Sequence, residues 1–270
     1  MHDSITVVLP VRNGAAFVAS AIDSVLAQSF RGVRLLVSDN GSIDETPAVV
    51  SAYLSDPRVR MVTRTEGYDM LSHFNKCLDM VETPYYMLLC HDDYLCDPTA
   101  LEKAYRALEE HPQISTVYCD LEFVDRSGKR IVTRRFGRAG VIPGDRVARS
   151  AVIATRNLFG IPLLVRTRAL AGARYDRELP YTADVDLSVA LACHGSIFHI
   201  AEPLIANRYH EGNATLGIFL AALGQMKRIA AKHGIALSLR ERLLMRLNAA
   251  ITVLQKWLFL QYVGKIRKSA

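Results

Sequence analysis

The chain has 270 residues, half of them apolar, with five Cys and a formal net charge of +6. That is enough apolar surface for one large α/β domain with an appendage or for two small domains, and the absence of repeats or low-complexity tracts excludes a disordered chain. The five scattered Cys (77, 90, 96, 119, 193) form no CxxC and read as reduced thiols of a cytosolic protein; the start, Met1–Ser4, does not read as a signal peptide; and the longest apolar stretches, Ala214 to Leu223 and Trp257 to Val263, are too short to span a bilayer.

The elements alternate. Ile5 to Pro10 is a β-branched strand ended by Pro, and the apolar spacing of Phe17, Val18, Ala21, Ile22, Val25 and Leu26 predicts an amphipathic helix over Ala15 to Gln28. Val33 to Ser38 is the next strand. Asp44 can cap a helix from Glu45 to Leu54, with Pro47 in its first turn. Val59 to Thr63 is a third strand, Asp69 to Val81 a third helix, and the apolar run Tyr85 to Cys90 a strand buried on both faces. Such alternation predicts an α/β fold with a mostly parallel, Rossmann-like sheet and helices on both faces. Ligands bind outside the carboxyl ends of such strands, where Arg12, Asn13, Asp39, Asn40, Glu66, Asp92 and Asp93 would line one crevice. No GxGxxG follows the first strand and no GxxxxGK[ST] occurs, which argues against a dinucleotide dehydrogenase and a P-loop ATPase. The adjacent carboxylates Asp92 and Asp93 repel unless a cation lies between them; the plainer alternative is that they end the strand and cap the helix begun at Pro98.

Three pieces in order, Ile5 to Asn13, Ser24 to Phe30 and Leu36 to Asp44, followed by His73 to Leu78 and Asp92-Asp93 with Pro98, resemble family 2 glycosyltransferases over about Ser4 to Thr215. The resemblance implies an inverting enzyme of GT-A fold that uses a nucleotide-sugar donor, UDP-sugars favoured, with Mn²⁺ or Mg²⁺. It assigns Pro10, Arg12, Asn13, Asp39, Asn40, Asn75 and Asp92 to the donor nucleotide, and Asp93 with Asp92 to the metal. Three departures stand out. Cys90 replaces the first acid of the DxD motif, Asn40 replaces a usual second Asp, and Arg12 replaces an aromatic. One or two carboxylates with a substrate diphosphate still suffice for such a cation.

Beyond the metal strand, Leu101 to Glu110 is a helix, Thr116 to Asp125 a long strand, Ser127-Gly128 a hairpin turn, and Leu163 to Arg166 a strand. Tyr181-Thr182-Ala183-Asp184-Val185-Asp186-Leu187 resembles the family's Glu-Asp-x-Asp-Leu segment, which makes Asp184 the catalytic base, with Ala183 in place of Glu. The alternative is that Asp184 only caps the helix that follows. Asp186 would support the loop or the acceptor site. Asn207 to Thr215 is similar to the family's closing segment, so Arg208 and His210 are candidates for the diphosphate. His91 suits a packing role better than ligation of a hard cation.

From Leu216 to the end, ten basic residues stand against the single acid Glu241, so this stretch carries +9 and the remainder −3. Leu239, Leu243, Leu244, Leu247, Ile251, Leu254 and Leu258 form an apolar stripe in two or three helices interrupted near Gly234. The stripe fits a helical cap on the catalytic domain or a second subunit, or an interfacial helix on anionic lipid. The expected organisation is a GT-A domain over 1–215, nucleotide-sugar-binding over 1–98 and acceptor-binding over 99–215, with a basic amphipathic tail over 216–270. The expected partners are a nucleotide-sugar donor and a glycan or lipid-linked acceptor, with a homo-oligomer left open and no nucleic acid. The expected place is the cytoplasm, at the inner face of the plasma membrane. A nucleotidyltransferase and a non-catalytic sugar-nucleotide-binding scaffold remain the alternatives.

Overall fold

The computed structural model describes residues 4–65, 67–209 and 220–251; Glu66, His210, Leu254 and Leu258 lie outside them. The first half runs β1 (Ile5–Val11), α1 (Val18–Leu26), β2 (Val33–Asp39), α2 (Thr46–Ser51), β3 (Val59–Thr63), α3 (Met70–Asp79) and β4 (Tyr85–Leu88). Its strands are parallel in the order β3-β2-β1-β4. All seven residues of β1 are buried, as a central strand covered on both faces requires. One face of α1 (Val18, Ala21, Ile22 and Val25) fills the core against it. Pro10 does not end β1, which continues to Val11. Val8 O accepts from Leu89 N on the β4 side, so Pro10 turns its missing N–H to that same side, where β4 has already stopped.

The caps follow the sequence with small shifts. Asp69 caps α3 and accepts from Ser72 N at 3.0 Å. Asp44 lies one residue before the cap of a shorter α2 and accepts from Thr46 N at 3.0 Å.

The second half contributes β5 (Tyr94–Leu95), α4 (Ala100–Glu110), β6 (Ile114–Val124), β7 (Arg130–Arg134), β8 (Gly140–Ile142), α5 (Gly144–Ala154), β9 (Leu164–Arg166), α6 (Ala183–Cys193) and β10 (Ser196–Arg208). These extend the sheet as β4-β9-β6-β10-β5, with β7 beside β6 and β8 beside β10. The expected parallel order is realised in β1 to β4 and in the β6–β10 pair. Strands β5, β7, β8 and β9 pair antiparallel. The turn at Ser127-Gly128, with Gly128 at φ +89, is too tight for a crossover and folds β7 straight back on β6.

At the C-terminal side α7 (Leu220–Lys232) ends before Gly234, whose φ is +65, and helical backbone resumes over 239–251. Met226, Ile229, Ala230 and Met245 pack with α5 and α6. Arg149 Nε to Glu241 Oε1 at 2.6 Å and Asn248 Nδ2 to Ile153 O at 2.9 Å fasten this second helix to α5. Its leucine stripe points the other way: Leu239, Leu243, Leu244, Leu247 and Ile251 are 41–75% exposed. Of the two sequence readings of this tail, the cap therefore uses Met245, not the stripe. Among the described residues no helix is long and apolar enough to cross a membrane.

Candidate active site

The loops after β1 and β2 are stitched together. Asn13, at φ +53, donates its backbone N–H to Ser42 Oγ at 2.9 Å and accepts from Ile43 N through Oδ1. Gly14 N donates to Thr46 Oγ1 at 2.9 Å, and a Cβ on Gly14 would come within 2.3 Å of His91 Cδ2, so His91 packs on this loop. Asp39 ends β2 fully buried. Its Oδ1 accepts from Ser42 N and Oγ, and its Oδ2 has no hydrogen-bond partner. A buried carboxylate oxygen without a donor is costly unless a ligand supplies one. Gly67 brings the Arg12 guanidinium close: a Cβ there would sit 3.4 Å from it.

Two assigned donor residues are committed elsewhere. Asn40 donates to Tyr68 O at 2.9 Å and accepts from Tyr68 N at 2.8 Å. Asn75 grips Tyr175 in the same two-bond fashion, at 2.9 and 2.8 Å, and so ties α3 to the second half. Both amides act as backbone clamps. Pro10 is buried inside β1.

Past β4, one ligand atom each from Cys90, Asp92 and Asp93 lies within 4.8 Å of the others. Asp93 is 6% exposed and accepts from Arg208 N at 3.0 Å and Asn207 Nδ2 at 2.8 Å, which anchors the end of β10. Burial, and then the neighbouring Asp92 charge, pushes its carboxyl up to about 8. Burial and the same two carboxylates push the Cys90 thiol upward. A divalent cation would relieve both, and the oxygen-rich donor set fits one. Arg208 itself is held by the Asp92 and Arg126 carbonyls and stacks between Phe17 and Tyr94, so its guanidinium braces the loop.

Asp184 lies in the first turn of α6, whose cap position is taken by Thr182. Near a helix N-terminus its negative charge is favoured. It accepts from Asn157 Nδ2 at 3.2 Å and borders a cavity of about 840 Å³ that Cys90 also lines. Asn157 is set by its own turn, its Oδ1 accepting from Phe159 N and Gly160 N. The cavity wall further holds Arg134, Thr155 and Arg156, with Phe74, Tyr86 and Tyr175 on its apolar side and Met226 and Ala249 from the C-terminal helices. Asp186, two residues on, is 1% exposed and bonds Lys232 Nζ at 2.7 Å and His233 Nε2 at 2.8 Å. It joins α6 to α7 away from the cavity.

Asn157, Thr155, Arg134 and Arg156 were not singled out by sequence. The Asn-Leu-Phe-Gly turn at 157–160 was the available signal, because Asn and Gly together build a tight turn whose remaining amide hydrogen is free to point outward.

Known proteins match this architecture. An uncharacterised glycosyltransferase of Rickettsia bellii is 29% identical over 212 residues, covering 77% of this chain and 30% of the relative. One from Rickettsia typhi is 26% identical over 219 residues, 78% of this chain and 65% of the relative, so the chain spans less than two thirds of these relatives. Among solved structures, residues 1–349 of S. aureus TarS with UDP-GlcNAc superpose with a TM-score of 0.71 at 17% identity, covering 89% of this chain and 69% of that fragment. The mannosyltransferase PcManGT of Pyrobaculum calidifontis, with GDP-Man and Mn²⁺, gives 0.55 at 16% identity over 92% of this chain and 80% of that one. These likenesses establish the fold as GT-A-like. The model of glycosyl transferase family 2 matches residues 6–174, more than half of the chain, and the chain belongs to that family.

Proposed function

We propose that the protein transfers a sugar from a nucleoside diphosphate donor, a UDP-sugar first, to a hydroxyl of a glycan or lipid-linked acceptor with inversion. The observation that carries this reading is that Asp184 and Cys90, the latter from the Cys90–Asp92–Asp93 cluster, line one cavity at the carboxyl end of β4. The acceptor O–H gives its proton to Asp184 as its oxygen attacks the anomeric carbon from the face opposite the diphosphate; the bond to the diphosphate breaks, and the electron pair leaves with it. Asn157, donating to Asp184 Oδ2, holds the carboxylate toward the cavity. Asp93 and Asp92 would hold Mn²⁺ or Mg²⁺, with Cys90 beside them, and the cation when bound offsets the charge growing on the departing diphosphate. Asp39 Oδ2 would accept from an N–H of the base.

Asp184→Asn tests this: transfer is abolished while nucleotide binding persists, and an unchanged rate overturns the assignment of the base. The losses at Cys90 and Ala183 favour, as a second reading, a sugar-nucleotide-binding scaffold. Wild-type protein that binds a nucleotide-sugar without turnover would support it. The exposed leucine stripe of 239–251, with Arg240, Arg242 and Arg246 on the same helix, supports a peripheral seat on anionic lipid.

A further inference from the structure

We infer that the cavity holds, beside Asp184, a subsite for an anionic group carried by the acceptor, built from Arg134, Arg156 and the Thr155 hydroxyl. This rests on the reading of Asp184 as the base. All three residues line the cavity that Asp184 borders. Neither arginine has a carboxylate within ion-pair distance among the described residues, unlike Arg58, Arg149, Arg166 and Arg174, each of which has one. Arg134 is partly buried with its guanidinium 4.9 Å over the Phe136 ring, and burial, then the Arg156 charge, pulls its pKa down. Two guanidinium groups on one cavity wall, neither in an ion pair among the described residues, suit an anion. Thr155 adds an independent sign. It is 7% exposed, its Oγ1 has no hydrogen-bond partner, and its φ of 54 puts a β-branched residue in the left-handed region. Such backbone strain recurs at ligand sites, and an orphaned buried hydroxyl waits for an acceptor.

The donor diphosphate belongs near Asp92 and Asp93, at the end of β4. Arg134 ends β7 and Arg156 follows α5, both in the second half of the chain. The ligand class is a phosphate or carboxylate, as on a phosphorylated polyol, a lipid phosphate or a uronic acid. Either accepts two forked guanidinium bonds and a hydroxyl donor.

The test is calorimetric titration of the full chain, with UDP and Mn²⁺ present, using glycerol 1-phosphate, glucuronate and neutral glycerol. The expected result is binding of an anionic probe and none of glycerol. Arg134→Gln/Arg156→Gln should weaken that binding roughly tenfold or more, Thr155→Val should weaken it less, and UDP affinity should stay unchanged. Tighter binding of glycerol 1-phosphate assigns a phosphate, and tighter binding of glucuronate a carboxylate. Arg156→Lys should restore part of the affinity lost in Arg156→Gln, which a merely structural defect would not allow. Equal binding of glycerol, binding of no probe, or loss of UDP binding in the double variant each overturns the subsite; the last assigns the arginines to the donor. Failure of wild-type protein to bind UDP would overturn the donor reading separately, since the anion titration can be run without nucleotide.

Discussion

Asn157 donates to Asp184 across 27 positions of sequence at 3.2 Å, from a turn that its own side chain builds. This makes Asn157 a positioning residue: its amide fixes one oxygen of the Asp184 carboxylate at the cavity wall. Asn157→Ala should lower kcat about tenfold with little change in donor affinity, whereas Asp184→Asn should lower it by about 10³ or more. Steady-state kinetics with a nucleotide-sugar check both, and equal effects of the two would assign Asn157 a direct part.

Asp39 makes a sharper claim about the nucleotide. Its Oδ2 is buried without a donor, so Asp39→Asn should place an N–H against the N–H of the base and weaken nucleoside diphosphate binding roughly tenfold or more. Calorimetry with UDP measures it. An unchanged affinity would put the base elsewhere.

A pH effect on stability follows from His73, buried in α3 with Nε2 2.9 Å from Ser38 Oγ. Burial, and then the Arg64 charge, pulls its pKa from 6.5 to about 4. The unfolded chain takes up this proton near 6.5 and the folded chain only near 4, so its share of stability is whole above 6.5 and lost as pH falls toward 4. The loss reaches about 3 kcal/mol. Asp93, raised to about 8, works in the opposite sense, gaining stability as pH falls from 8 to 4. The His73 share is therefore read as the difference between wild type and His73→Gln in denaturant unfolding at pH 7 and pH 4.5. The wild type should lose more than the variant over that interval.

The outward stripe of 239–251 predicts binding to vesicles with phosphatidylglycerol, weak binding to phosphatidylcholine alone, and loss of binding in added salt. Leu243→Glu/Leu247→Glu should abolish vesicle binding while leaving nucleotide binding intact. A wild-type dimer that this variant splits, with no vesicle binding, would make the stripe a subunit interface.

The parallel frame was legible because strands and helices alternate through the first half, and because β4 is an apolar run that only a covered strand tolerates. The start of α6 was legible in the segment around Asp184, read as opening a helix, and Asp184 lies in its first turn. What the sequence hid is partner choice. Asn40 and Asn75 looked like ligand-facing amides, but each spends both hydrogen-bonding ends on a tyrosine backbone, a pairing set by loops 28 and 100 positions away. Asp186, expected to support the loop or the acceptor site, is held by Lys232 and His233 at the end of α7. Arg134, Thr155 and Arg156 meet Asp184 only through folding of the second half, where no period connects them. Over 220–232 and 239–251 the tail is helical, yet which side faces in is decided by Met245, Glu241 and Asn248, not by the leucines.

The account turns on a nucleotide-sugar site completed by a cation at the end of β4. The most direct measurement is calorimetric titration of the purified chain with UDP, dTDP, GDP and CMP, with and without Mn²⁺, repeated on Asp92→Asn. The account predicts that one diphosphate binds, that Mn²⁺ tightens it, and that Asp92→Asn removes the Mn²⁺ effect. Binding of no diphosphate in the presence of Mn²⁺ would contradict it.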